Sequence, residues 1–137
     1  MKQDRVGVSE RPSLKVFLDT YAMREYLRGN DAYRQYFFKQ HELTTCLLNL
    51  IELYYILLKD EDEQEADKSF LAFKQYEVEI TDDDVRKAMK FRLACKAKKE
   101  NISYGDAIGY TIAKRLAANF LTGDDVFKGK PQVEFQK

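Results

Sequence analysis

One histidine and two cysteines in 137 residues leave too few soft donors for a zinc site, and Cys46 and Cys95 stand too far apart for zinc-ligand spacing. Both cysteines lie in helix-like apolar surroundings, which fits buried, reduced thiols in a cytoplasmic protein rather than a disulfide framework. Net charge is also lacking. Twenty-three Lys and Arg balance 23 Asp and Glu, so any nucleic-acid contact has to come from a local basic patch. The longest apolar run, residues 46–58, is too short to span a membrane and is broken by Asn49 and Glu52. The opening segment MKQDRVGVSERPSLKVFL has no apolar stretch long enough for a signal peptide. Two prolines, six glycines and no repeat or low-complexity segment remain, with 45% hydrophobic residues. The expectation is a single soluble domain with a real core, and near-zero net charge permits it to self-associate.

Residues 1–13 read as a flexible polar tail, and 14–137 as one domain. LKVFL, residues 14–18, is a short buried strand, followed by a helix over 20–28 that closes on Gly29-Asn30. Asp31 can cap a second helix, 32–39; residues 41–45 are weakly strand-like, and 46–59 form a helix apolar around most of its circumference. The acids of 60–67 open a further helix as a solvated face, ending near Gln75. Residues 77–80 alternate as a strand, 81–99 and 103–118 are helices, and 119–122 and 132–135 are the last strands. Strands separated by helices predict an α/β fold, a parallel sheet covered on both faces.

Four acids interrupt or end these segments. Asp19 closes VFLD and stands where a parallel sheet binds ligands, although it can equally cap the next helix. Glu52 shares a helix face with Asn49 amid Leu48, Leu50, Ile51, Leu53, Ile56 and Leu57, a polar face too narrow for an ordinary exposed helix. Asp106 follows Ser103 by three, a capping-box spacing also present at Thr81 and Asp84, but here a small apolar stretch, AIGYTIA, comes next. Asp124 follows a strand and Gly123, in a segment that also reads as a simple turn; Asp125 is its neighbouring substitute, and Thr122 can offer a hydroxyl. Converging carboxylates in apolar segments call for a bound cation, and oxygen-only donors select Mg²⁺ or Mn²⁺. His41 reads as structural or exposed.

Taken in order, VFLDT, LNLIELYYIL, SYGDAIGYTIAKRLA and FLTGDDVF resemble the motifs of the PIN-domain nucleases, especially the compact VapC-type toxin ribonucleases. The resemblance spans residues 14–136. It implies a three-layer α/β/α fold with a central parallel sheet and metal-dependent hydrolysis of single-stranded RNA. It also implies a homodimer, with a cognate antitoxin as partner. Asp19, Glu52, Asp106 and Asp124 match the family's four acidic positions, with Thr20, Asn49 and Thr122 beside them in a supporting role. Asn49 departs from the family, which often has a small hydroxyl residue there, and the leader of 11 residues is longer than in many toxins.

On that resemblance Asp19 and Asp106 are the expected direct metal ligands, with Glu52 and Asp124 binding directly or through water. Arg24 and Arg28 are the expected RNA contacts, with Lys96, Lys98 and Lys99, or Lys128 and Lys130, as further patches. A receiver domain fits less well, because the Glu-bearing helix stands where its acceptor strand should be. A haloacid-type phosphatase would need Asp-x-Asp where this chain has Asp19-Thr20-Tyr21. The remaining alternative is a catalytically inactive PIN-like module that binds metal or RNA. Six aromatics, Tyr21, Tyr26, Tyr33, Tyr36, Phe37 and Phe38, are expected to form an association surface.

Overall fold

Every hydrogen-bonded strand pair among the described residues is parallel, so each connection must cross from one sheet end to the other, which most of them do through helices. A computed structural model describes residues 14–38 and 40–137; the expected tail and the last residue of the expected second helix lie outside them. Four strands, β1 (Lys15–Leu18), β2 (Glu42–Thr44), β3 (Asn119–Thr122) and β4 (Val133–Phe135), align in the order β2-β1-β3-β4. Among the described residues six α-helices surround them: α1 (Thr20–Leu27), α2 (Asp31–Phe38), α3 (Leu47–Asp60), α4 (Glu63–Lys74), α5 (Asp82–Ala97) and α6 (Tyr104–Arg115).

Strand alternation divides the core in two. Val16, Leu18 and Leu121 face a cluster built from α1 to α4, including Met23, Tyr33, Leu50, Leu53 and Phe73. Phe17 and Phe120 point the other way, into a cluster with Ala88, Ile108, Ile112 and Phe127. These are the two helical layers of the expected three-layer α/β/α fold.

Local chemistry explains most boundaries. Gly29 closes α1 at φ +84°, with its own N–H bonded to the Tyr26 carbonyl and that of Asn30 to Glu25. The cap of α2 differs from expectation. Asn30 accepts the Ala32 N–H at 3.0 Å, and Asp31 is already inside the helix. Residues 77–80 also differ, forming one parallel bridge, Thr45 to Glu77, instead of a strand. Immediately after Thr45 the chain turns at Cys46 into α3, which leaves no second rung. Val78 and Ile80 still pack on the core, which accounts for their alternation.

The expected aromatic surface is not formed. Tyr33 and Tyr36 are buried, and Tyr21, Tyr26 and Phe37 pack against the same cluster. Rings of Tyr26, Phe37 and Phe73 meet at centroid distances of 4.1 to 6.1 Å, so these aromatics fill the layer between α1, α2 and α4. Phe38 alone among the six is largely exposed.

Gly123 is fixed by close approach. A Cβ there would run into the Tyr21 ring and come within 2.7 Å of the Gln136 carbonyl oxygen. Gly123→Ala is expected to destabilise the fold by about 1–3 kcal/mol, read as a lower urea midpoint, because backbone has to give way. An unchanged midpoint would show that this segment can shift freely.

Candidate active site

β1 and β3 are neighbours in the register Leu18↔Leu121, so the residues just beyond them meet at one sheet edge. Asp19 therefore faces Thr122. It is 2% exposed, caps α1 by accepting the Ala22 N–H at 2.8 Å, and has no basic partner among the described residues. Capping and convergence on the cleft occur together, since the cap uses one carboxylate oxygen. Burial pushes the Asp19 carboxyl up to about 8; the Thr122 hydroxyl, hydrogen-bonded to it, pulls it down, and the charge of Asp106 pushes it further up.

Asp106 arrives from the third residue of α6. The equivalent Asp84 in α5 completes a capping box by accepting the Thr81 N–H at 2.9 Å. In α6 only the outward half forms, with the Asp106 N–H donating to Ser103 Oγ at 3.1 Å. Its carboxyl lines the cleft, and burial, then Asp124, then Glu52 push it up to about 6. The sequence similarity between the two helix starts hides a difference in use. Asp84 is bound by Arg115 through two nitrogens at 2.9 Å each; Asp106 has no such partner among the described residues.

Asp124 follows Gly123 and caps a 3₁₀ turn, Asp125–Phe127, by accepting the Val126 N–H at 3.1 Å. Its own N–H donates to Thr122 Oγ1 at 3.1 Å, so Thr122 joins Asp124 to Asp19. Glu52 reaches the cleft from α3 as an exposed residue, which corrects the expectation of a carboxylate enclosed in apolar helix. Asn49, three residues earlier, is buried and does not line the cleft. Its Nδ2 donates to Thr20 Oγ1 at 3.2 Å, and its Oδ1 accepts from Cys46 Sγ at 3.2 Å, tying α3 to the first turn of α1. Asn49 is thus tied to Thr20, the neighbour of Asp19, and does not share the surroundings of Glu52.

Asp19, Glu52, Asp106, Asp124 and Asp125 all border one open cleft of about 400 Å³. The donor set suits a hard cation, since it is all oxygen and includes a buried carboxylate without a counter-charge among the described residues. As posed, no three His, Cys, Asp or Glu side chains among the described residues are close enough to hold an ion between them. Gripping one would require the carboxylates to turn inward.

Of the expected basic contacts, Arg24 borders the cleft and is ion-paired to Asp60. Arg28 lies in the adjoining groove, with its guanidinium 3.2 Å from Glu25. Lys96, Lys98, Lys99, Lys128 and Lys130 do not line the cleft, and Lys130 is paired with Glu100 at 2.9 Å. The sequence reading missed Lys137, which does line it. His41 is structural in part, accepting the Leu14 N–H at 3.1 Å through Nδ1. Both cysteine thiols are buried and pushed up by that burial.

The PIN domain family model matches residues 16–132. The chain belongs to the PIN domain family. No curated protein matches it. Among solved structures this PIN domain is similar to a toxin–antitoxin complex from Klebsiella pneumoniae, with 19% identity, a TM-score of 0.70, and 88% of this chain and 96% of that one covered. It is also similar to VapBC2 from Rickettsia felis bound to a promoter DNA fragment, at 16% identity and a TM-score of 0.72, covering 90% and 98%. A third, VapC20 of Mycobacterium tuberculosis, a sarcin–ricin loop cleaving toxin, has 19% identity and a TM-score of 0.69, covering 87% and 98%. At these identities the likeness concerns the fold. No helix among the described residues is long and apolar enough to cross a membrane.

Proposed function

We propose that this PIN domain is a Mg²⁺- or Mn²⁺-dependent endoribonuclease that hydrolyses phosphodiester bonds in single-stranded RNA, acting in the cytoplasm as the toxin of a toxin–antitoxin pair. The observation that carries this reading is the cleft itself. Acids from four separate stretches of chain meet at the C-terminal sheet edge, and the most buried of them has no basic partner among the described residues. Support for the RNA substrate and for an antitoxin partner comes from the solved relatives, which include toxin–antitoxin complexes and a toxin that cleaves the sarcin–ricin loop.

Asp19 and Asp106 are the residues to hold the cation directly, because they are the two carboxyls raised by burial and by the charge of neighbouring carboxylates. Glu52 and Asp124, which line the same cleft, complete the set and orient the attacking water. When bound, the cation supplies Lewis acidity toward water and offsets the charge of the phosphate. Thr122 holds Asp19 in place by its hydroxyl, and the Asn49–Thr20 bond fixes the start of α1 on which Asp19 is mounted. Incubating single-stranded RNA with the chain and Mg²⁺ or Mn²⁺, beside an Asp19→Asn control, tests the proposal. Equal cleavage by both would refute it.

The homodimer belongs to the same proposal, on a different surface from the aromatic one expected at first. Leu47, Ile51, Tyr55 and Leu58 are 39%, 52%, 65% and 43% exposed, and their spacing places them on one stripe of α3. A second copy meeting this stripe would cover apolar area that is otherwise wetted. Tyr55→Glu is expected to turn a dimer into a monomer at tens of micromolar in sedimentation, with the far-UV circular dichroism unchanged. A monomeric wild type under those conditions would remove the dimer.

A further inference from the structure

Five carboxylates border the cleft, and a phosphodiester approaching them is repelled unless cations at the rim take part of its charge. Only Arg24 and Lys137 supply positive charge among its described lining residues. Arg24 is committed to Asp60, and both side chains are about two-thirds covered. Lys137 is held quite differently.

β4 pairs with β3 in the register Thr122↔Phe135, so Gln136 and Lys137 run past the sheet edge beside Gly123 and Asp124. Gln136 is clamped from both sides. Its N–H donates to the Thr122 carbonyl at 3.0 Å, and its carbonyl accepts the hydroxyl of the buried Tyr33. The lack of a side chain at Gly123 is what lets this segment lie so close. The backbone before Lys137 is therefore fixed, and its ammonium is delivered to the cleft, 3.1 Å from Asp125 Oδ2. That ion pair is weak, because its two side chains are 58% and 76% exposed. Little is lost when the ammonium exchanges Asp125 for another anion.

We propose that Lys137 is a substrate-binding residue of this cleft, its ammonium leaving Asp125 to take an RNA phosphate next to the bond that is cut. The inference rests on the nuclease reading above and adds the residue that brings RNA onto an acidic surface. A lysine contacting phosphate reads charge and not base, so its contribution is the same for every RNA sequence.

Lys137→Ala is expected to raise KM for a single-stranded RNA about tenfold, the loss of one charge-assisted hydrogen bond. The change in kcat should stay within about twofold, because the contact is made equally in ground and transition states. In an Asp19→Asn background, binding of the same oligonucleotide should show a log K against log salt slope smaller by about 0.7 when Lys137 is removed. Lys137→Arg should restore both quantities, and Asp125→Asn should leave KM unchanged or lower. An unchanged KM and slope overturns the proposal, as does a loss confined to kcat or an Asp125→Asn variant that mimics Lys137→Ala. A wild-type chain that cleaves no RNA with either metal overturns the nuclease reading instead, and the binding slope then still decides Lys137. Absence of any RNA binding overturns both.

Discussion

Asp19→Asn is expected to lower metal-dependent RNA cleavage by roughly a hundredfold or more, while making the metal-free chain more stable at neutral pH. Both effects have one cause. Asp19 is buried with no basic partner among the described residues, a costly state for an ionised carboxylate and a suitable one for a cation ligand. Below its ordinary value of 3.8 the carboxyl is protonated in the folded and unfolded chains alike, so it imposes no penalty. Between 3.8 and about 8 only the folded chain keeps the proton, and stability falls progressively as pH rises through that window. Asparagine carries no such penalty and can still accept the Ala22 N–H. Its gain over wild type should be near zero at pH 4 and on the order of 5 kcal/mol by pH 8 in denaturant titrations without metal. Asp106→Asn should lose activity similarly, with a smaller stability gain that levels off above about 6, where its own carboxyl has ionised. Activity above a few per cent in either variant would sink the site assignment; a stability gain that is the same at pH 4 and pH 8 would sink the electrostatic account of it.

Excess chelator is expected to stop cleavage completely, and Mg²⁺ or Mn²⁺ to restore it. The same ions should stabilise the wild-type fold by roughly 2–3 kcal/mol at a hundredfold excess over Kd. This stabilisation should be largely lost in Asp19→Asn. It should also shrink as pH falls from 8 to 6, because Asp19 takes up its proton across that range and a protonated carboxyl is a poor ligand. Ca²⁺ is expected to stabilise the chain while supporting little turnover, since its looser coordination misplaces the attacking water. Thermal melts with each cation at three pH values check the binding, and a gel of RNA products checks the turnover. Full-rate cleavage in chelator, absent from the Asp19→Asn control, would end the metal-dependent reading.

The candidate acids were legible because each interrupts a local pattern. Asp19 ends an apolar strand, Asp106 opens a small-residue helix, and Asp124 follows a strand and a glycine. Periodicity and end signals report burial and element type over a few residues, which also made the parallel α/β architecture readable. The misreadings come from the same source. Alternation at 77–80 marks apolar side chains facing the core but says nothing about whether a partner strand continues, and here Cys46 ends it after one bridge. The six aromatics before His41 look excessive for a core until five of them, all but Phe38, are seen to pack into the layer of α1, α2 and α4.

The sequence by itself determined which residue types end each element, where the helices lie to within a few residues, and that the donors are oxygen only. Tertiary structure alone decided who stands beside whom. The Leu18↔Leu121 register sets Asp19 against Thr122, Glu52 is exposed while Asn49 is sealed beneath it, and β4 brings Lys137 to an acidic cleft begun near the other end of the domain. Strand pairing is a contact between distant segments, fixed by packing on both faces of the sheet, and no local pattern in either segment encodes the identity of the other.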